Sequence, residues 1–321
     1  MKVLNWGLIG AGDIARKRIA PALRDLPNCE LVPICRSNSS LAESFAKEFG
    51  AKKWFADWRE LVDDPAIDAV YLATPVFLPA EQTIYAANAG KHILCEKPMA
   101  LNVKECDEMI NACKANNVKL GIAYYSRFYP VITRIKEIIE SGEIGKVSIC
   151  QVNAFEYFEP SEDNPRRWLL DKTKSGGGPL MDFGCHRIEL LTHLFGEIKE
   201  TKSIISNNIF KREVEDTATA ILEFSNGLNA VLTIAHSAIE PQDTLHIFGT
   251  KGSIHVSILN SGELKLRLGN NETIENHPPN PNFHLPLIEE FTEAILQGKQ
   301  PEITGETGRE INRIIEGIYV S

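Results

Sequence analysis

The sequence predicts a chain of two structural classes: an α/β region built on a doubly wound parallel sheet, then an α+β region built on a largely antiparallel sheet. Three observations predict it. Over the first ~120 residues short apolar runs alternate with helical patterns, which is how a parallel sheet with crossover helices reads. From Lys199 to Leu268 several strand-like runs follow one another with only short turns between them, which is how antiparallel pairing reads. The length, 321 residues, is long for one core and typical of two domains. The division is placed at 1–123 and 124–321.

In chain order, strands are expected at Val3–Ile9, Glu30–Cys35, Lys53–Phe55, Ala69–Ala73, His92–Cys95 and Lys119–Ala123. Helices are expected between them at Ile14–Leu26, Leu41–Phe49, Trp58–Val62, Ala80–Ala89 and Val103–Asn116. Phe49-Gly50 and Ala89-Gly90 put glycine where a helix C-terminus uses it. After Phe128 the rhythm changes. A helix at Val131–Glu140 and a long strand at Lys146–Phe158 lead to the run Gly176-Gly177-Gly178, and a helix is expected over Leu180–Phe195. The strand-rich stretch then turns at Asn226-Gly227, Gly249–Gly252 and Ser261-Gly262. Asn276–Pro286 is rich in Pro and Asn and reads as irregular, and Leu287–Gln297 and Glu306–Val320 read as closing helices.

Composition narrows the function. The hydrophobic fraction is 43% and the charged fraction 24%, the profile of a soluble globular protein. A formal charge of -9 argues against nucleic acid or an anionic membrane as general partners, while leaving room for a local basic pocket. The opening MKVLNWGLIG lacks a signal-type layout, and no apolar run approaches the roughly 20 residues that cross a bilayer. Seven cysteines, an odd number without a CxxC pair, argue against a disulfide framework or a zinc site and fit a reducing cytoplasm. No metal is expected.

The apolar run Val3–Ile9 passes directly into Gly10-Ala11-Gly12-Asp13-Ile14-Ala15, a GxGxxA dinucleotide fingerprint in strand–loop–helix context. Gly10 allows the tight turn, Gly12 lets the backbone approach a pyrophosphate, and Ala15 keeps the helix close to the sheet. The helix N-terminus offers free N–H groups to the phosphates. The second strand ends Cys35-Arg36-Ser37-Asn38 with no acid for a ribose 2'-hydroxyl. Arg36 and Ser37 suit a 2'-phosphate instead, so NADP(H) is expected over NAD(H).

Two further motifs carry chemistry. Glu96-Lys97-Pro98 closes a strand, and ligands of doubly wound sheets bind outside the carboxyl ends of strands. Lys-Pro forces an extended or turn geometry, and only proline makes a cis bond inexpensive. The Lys97 ammonium there suits a substrate hydroxyl and a developing alkoxide. The bland alternative is a surface Lys–Glu pair of little energetic worth. In Gly176–Glu189, Asp182 and His186 stand four residues apart, on one face of a regular helix, with Glu189 adjoining. On spacing alone a capping Asp beside a core His is the commoner meaning. Together with Lys97 the pair reads as proton-handling machinery, His186 moving the proton and Asp182 orienting it. The glycines before it are read as letting the backbone pass close to cofactor and substrate. Tyr125, Arg127 and Trp168 are further substrate-contact candidates, core packing being the alternative for the aromatics. His236 and His284 carry no assignment.

These segments resemble the Gfo/Idh/MocA family, the oxidoreductases related to glucose–fructose oxidoreductase and inositol dehydrogenase. The resemblance rests on Gly10–Ala15, on Ala73-Thr74-Pro75, on Ala89–Met99 with its Cys95-Glu96-Lys97-Pro98 core, and on Gly176–Glu189. Gly249–Ile254 and Pro301–Ser321 match later landmarks. It implies an N-terminal Rossmann domain and a C-terminal domain on an open mixed sheet whose exposed face packs against another subunit, as a homodimer or homotetramer. It implies a sugar, polyol or related hydroxy or keto substrate. It places catalytic roles on Lys97, Asp182 and His186, and cofactor contacts on Gly10, Ala11, Gly12, Asp13, Ile14, Ala73, Thr74, Pro75, Glu96 and Lys97, beside the Arg36 and Ser37 read from the end of the second strand. The chain departs from the family pattern at Val76 and Pro79, where relatives carry Asn and His, at Glu189 in place of Asp, and at Trp168-Leu169 in place of Trp-Arg. Two other readings use the same fold: a catalytically silent cofactor-sensing regulator, and an NAD-dependent glycoside hydrolase.

Overall fold

The computed structural model describes residues 2–321. The chain forms two compact units, 1–125 with 281–312, and 126–280 with 313–321. The sequence division at 123/124 is continuous, whereas the segment 281–312 returns to the first unit. Its apolar helix face explains this: Phe291 is fully buried and lies 5.5 Å, centroid to centroid, from Trp6 of the first strand.

In the first unit β1 (Leu4–Ile9), α1 (Ala20–Asp25), β2 (Cys29–Cys35), α2 (Ser39–Phe49), β3 (Lys53–Phe55), α3 (Trp58–Val62), β4 (Ala69–Leu72), α4 (Pro79–Asn88), β5 (His92–Cys95), α5 (Val103–Ala115) and β6 (Leu120–Ile122) alternate as expected. The six strands run parallel in the order β3-β2-β1-β4-β5-β6. That order reverses direction next to β1, which creates the crevice where such sheets bind ligands. β4 is buried along its whole length, as a central parallel strand covered on both faces must be. Asn38, Asp57 and Asn102 cap α2, α3 and α5 by accepting backbone N–H bonds. The helix expected from Ile14 begins with a π-turn over Ala15–Ile19 before α1.

The second unit holds α6 (Pro130–Glu140), β7 (Val147–Tyr157), α7 (Lys172–Ser175), α8 (Cys185–Phe195), β8 (Ile198–Ser206), β9 (Thr217–Phe224), β10 (Asn229–Ala235), β11 (Ser237–Gly249), β12 (Gly252–Val256), β13 (Glu263–Leu268) and β14 (Asn271–Asn276). Its sheet runs β14-β13-β12-β11-β7-β10-β9-β8, with β10 parallel to β7 and the other pairs antiparallel. Alternate residues of β9 and β10 are buried, so one face of the sheet carries the core. The helix expected over Leu180–Phe195 is a π-turn at Leu180–Gly184 that runs into α8. The chain closes with α9 (Leu285–Leu296) and α10 (Gly305–Val320). The seven cysteines are unbridged. Among the described residues no helix is long and apolar enough to cross a membrane.

Candidate active site

In the first unit, the loop after β1 is shaped by backbone contacts. Gly10 has φ +95°, and a Cβ there would lie 2.5 Å from the Ala73 carbonyl oxygen. The N–H groups of Gly10 and Ala11 both donate to the Cys35 oxygen, at 3.1 and 3.2 Å, and the Ala73 N–H donates to the Ile9 oxygen at 2.8 Å. The ends of β1, β2 and β4 therefore brace the turn, and no side chain fits at Gly10. At Gly12 a Cβ would meet nothing nearer than the Gly10 oxygen at 3.9 Å. That open space is what a pyrophosphate needs next to the chain, and the loop residues fit a dinucleotide on this ground. Ala15 is fully buried against the sheet. Asp13 pairs with Lys17 at 2.9 Å on the exposed first turn, and Ile14 is 38% exposed.

Arg36 follows β2 and donates from Nη1 to the Ala11 oxygen at 3.0 Å, so its guanidinium is tied to the glycine loop. Ser37 is exposed beside it. Thr74 donates to Gln82 Oε1 at 2.6 Å, and the Pro75 oxygen accepts from the Leu78 N–H at 3.0 Å, which fixes the turn after β4. Glu96 follows β5. Its Oε1 accepts from Tyr71 at 2.9 Å and faces His284 Nε2 at 3.2 Å, and the Lys97 N–H donates to Oε2 at 3.3 Å. Burial pushes the Glu96 carboxyl up, but the hydrogen bond and charge of His284, with Lys97 and Tyr71, prevail and hold it below its ordinary value. The Lys97-Pro98 bond is cis. Tyr125 packs on His284 at 4.5 Å and stacks with Phe283 at 6.2 Å.

In the second unit a pocket of about 240 Å³ opens beside Asp182, lined by Ala154, Phe155, Glu156, Arg166, Asp182, Phe183, Arg187, Gln242 and Asp243. Four segments meet there: β7, the loop carrying Arg166, the π-turn with the α8 that continues it, and β11. β7 supplies Glu156, the π-turn Asp182, α8 Arg187, and β11 Gln242 and Asp243 after an irregularity in its pairing with β7 between Ser237 and Gln242. Asp182 lies in a widened i→i+5 turn, not in a regular helix, and its Oδ2 accepts from Arg166 at 2.9 Å. His236, at the end of β10, brings Nε2 to 3.7 Å from Asp182 and 3.3 Å from Glu156. Its ring is buried between Phe158 and Phe183, centroids 5.0 and 5.2 Å away. Burial lowers the affinity of His236 for a proton, yet the bonds and charges of Asp182 and Glu156 outweigh it and raise the pKa above 6.5. Ligand atoms of Glu156, Asp182 and His236 lie within 4.8 Å of one another, the spacing of a cation site. The cation beside these carboxylates is the Arg166 guanidinium.

His186 is 4% exposed on α8. Glu189, one methylene longer than the family's Asp, is fully buried and accepts from Arg127 Nε at 2.7 Å. Arg127 is thus held by a carboxylate. Trp168 lines a different opening of about 460 Å³ with Arg167, Leu170, Asp171, Lys174, Arg212 and Glu213, not the Asp182 pocket.

The glycine run has another use than the one expected from sequence. A Cβ at Gly177 would lie 1.9 Å from the Tyr319 hydroxyl, and one at Gly178 would lie 2.2 Å from the Glu215 oxygen. Glu215 accepts from the N–H groups of Gly178 at 2.8 Å and Leu180 at 3.1 Å and from the Tyr319 hydroxyl at 2.9 Å. A buried carboxylate thereby caps the start of the turn that carries Asp182. Sequence reasoning missed Glu215, Glu156 and Asp243, and left His236 undecided. The available signals were slight: a Glu-Asp pair just before a strand, and a histidine ending the apolar run Asn229–Ala235.

Comparison with known proteins agrees with this architecture. Residues 4–124 match the oxidoreductase family with an NAD-binding Rossmann fold, and residues 132–255 match the GFO/IDH/MocA C-terminal domain. The chain is 33% identical over 322 residues to Oxidoreductase P35 of Formosa agariphila, covering 98% of this chain and 97% of that one. It is 31% identical to 1,5-anhydro-D-fructose reductase of Ensifer adhaerens, with coverage of 95% and 92%. Among solved structures, levoglucosan dehydrogenase in complex with NADH and levoglucosan superposes with a TM-score of 0.91 at 27% identity, covering 100% of this chain and 97% of the other. Matched in both halves and along nearly its whole length, this chain belongs to the GFO/IDH/MocA family of oxidoreductases, with an NAD-binding Rossmann fold.

Proposed function

We propose that the chain transfers a hydride between a nicotinamide dinucleotide and a hydroxyl-bearing carbon of a sugar or polyol. The observation that carries this reading is the Asp182 pocket. It is small, polar and lined by carboxylates that accept sugar hydroxyls, in a chain whose relatives are named for anhydrosugar substrates. Residues 1–123, joined by the returning segment 281–312, serve as the dinucleotide domain, and the rest of 124–321 as the substrate and oligomerisation domain, pairing copies through its sheet. The nicotinamide, when bound, accepts or returns the hydride.

The chain's own residues do the rest. Gly10, Ala11, Gly12, Asp13 and Ile14 cradle the pyrophosphate, with Ala73, Thr74, Pro75 and Glu96 lining the strand ends. Lys97 polarises the substrate oxygen, and His186 takes or gives the hydroxyl proton. Asp182 orients His186 and fixes a substrate hydroxyl, with Tyr125 as a further contact; Trp168 belongs to the other opening, and Arg127 is a positioning cation through Glu189. Arg36 and Ser37 favour NADP(H): no acid follows β2, and Arg36 already reaches the glycine loop. The NADH of the levoglucosan dehydrogenase complex supports NAD(H) instead. Titration with both reduced cofactors separates the two. NADPH is expected to bind at least tenfold tighter, and Arg36→Ala to remove that difference. An equal or tighter NADH value would overturn the NADP(H) preference. For turnover, absorbance at the reduced-nicotinamide band is followed with neutral sugars and polyols. Lys97→Ala and His186→Ala are expected to lose at least 100-fold in kcat with cofactor binding intact; normal turnover in both variants would refute the mechanism.

A further inference from the structure

The charges around the Asp182 pocket are arranged in closed pairs. Arg166 donates to Asp182 at 2.9 Å and stands 3.9 Å from Glu156. Arg187, on α8, is bonded to Asp243 on β11. Both guanidiniums of the lining are therefore already engaged by carboxylates of the same lining. Three carboxylates, Glu156, Asp182 and Asp243, face two guanidiniums, and His236 stands behind Glu156 and Asp182. An entering carboxylate or phosphate would meet acceptor oxygens at close range, and each guanidinium it approached would already be shared with a carboxylate. A neutral hydroxyl instead donates to the same oxygens at no such cost. The volume, about 240 Å³, falls below the roughly 300–1,000 Å³ of sites for drug-sized ligands and suits one small ring.

We propose that this pocket selects an uncharged polyhydroxyl ligand over sugar acids and sugar phosphates, and that Asp243 determines this selectivity by occupying Arg187. The inference rests on the sugar-binding reading above and narrows its substrate class. Arg187 is the residue to release: its side chain is 14% exposed and its partner Asp243 25%, so the pair is shielded enough for its loss to leave a cation facing the pocket.

The test uses the full chain loaded with reduced cofactor. Calorimetry measures binding of D-glucose, D-glucuronate and D-glucose 6-phosphate, with the galactose and mannose triplets alongside. The neutral member of a triplet is expected to bind at least about tenfold more tightly than its two anionic partners. Asp243→Asn, which keeps the shape and frees Arg187, is expected to raise glucuronate-type affinity about tenfold relative to the neutral sugar. Circular dichroism checks that the variant is folded, and Asp243→Ser provides a second removal of the charge. The proposal is overturned if a uronate or phosphate binds the unaltered protein as tightly as its neutral parent, or if neither folded variant gains affinity for the acid. Selective binding of neutral sugars without any hydride transfer would uphold the charge selectivity and sink the oxidoreductase reading, so the two failures are distinct.

Discussion

Two glycine-rich turns lead into helices in this molecule, and their glycines serve opposite ends. At Gly12 the place of the missing side chain is open, with a single atom near the 4 Å limit. At Gly177 and Gly178 the same place is taken by the protein itself, by the Tyr319 hydroxyl and the Glu215 backbone. A vacancy that faces outward leaves room for a ligand. A vacancy that the fold fills is packing, and here it brings a buried carboxylate against the start of a helix. The presence of glycine before a helix therefore does not distinguish a binding loop from an anchor; what occupies the space does.

The comparison can be broken most sharply at Gly178. Gly178→Ala puts a Cβ 2.2 Å from a backbone oxygen, which cannot retreat as a side chain end can. A loss of about 3 kcal/mol in urea unfolding is expected, with or without cofactor. Unchanged stability would remove the anchor interpretation. Gly12→Ala is the opposite experiment. Its melting temperature without cofactor is expected to stay within about 2 °C, while dinucleotide affinity falls about 100-fold in a fluorescence titration. Lost stability with retained affinity would exchange the roles of the two turns.

A smaller effect sharpens the second turn. His236→Gln keeps a donor near Asp182 and Glu156 but cannot carry a charge. A drop of about tenfold in kcat with a changed acid–alkaline profile is expected. A shift in stability alone, with the profile unmoved, would make His236 structural.

The smallest effect is on the pH dependence of stability, where two histidines of the second unit act in opposite senses. His236 has a raised pKa in the folded chain, so its stabilisation is complete below about 6.5 and is lost as pH rises through the folded value. His193 is pushed down to about 4 by burial and by Arg127 and Lys136. The unfolded chain then binds the extra proton between about 4 and 6.5, and stability is lost as pH falls through that window. Urea titrations across pH 4 to 9 are expected to show His193→Gln relieving the acid-side loss and His236→Gln relieving the alkaline-side loss. Identical curves for both variants would refute the assignment.

Much of the first unit was legible because its signals are local. A strand, a tight turn and a helix N-terminus follow one another within fifteen residues, and each step has its own residue chemistry. The parallel sheet follows from the alternation of strands and crossover helices, while the strand order came from the structure. The return of 281–312 to this unit was not legible, since an amphipathic helix states that it has an apolar face but not what covers it. The pitch of the Asp182 turn also escaped periodicity, which reads a hydrophobic pattern and not the hydrogen-bond span of a single turn.

By itself, then, the sequence determined the two architectures, the dinucleotide loop and the residue types at Lys97, Asp182 and His186, because contacts between near neighbours are set by backbone geometry and side-chain period. Only the tertiary structure decided what surrounds Asp182. Glu156, Arg166, Arg187, His236 and Asp243 are scattered over almost ninety positions and meet because the β7, β10 and β11 ladders bring their segments together. The charge balance of a pocket belongs to that meeting: a carboxylate attracts or repels according to which cation the fold has already placed against it.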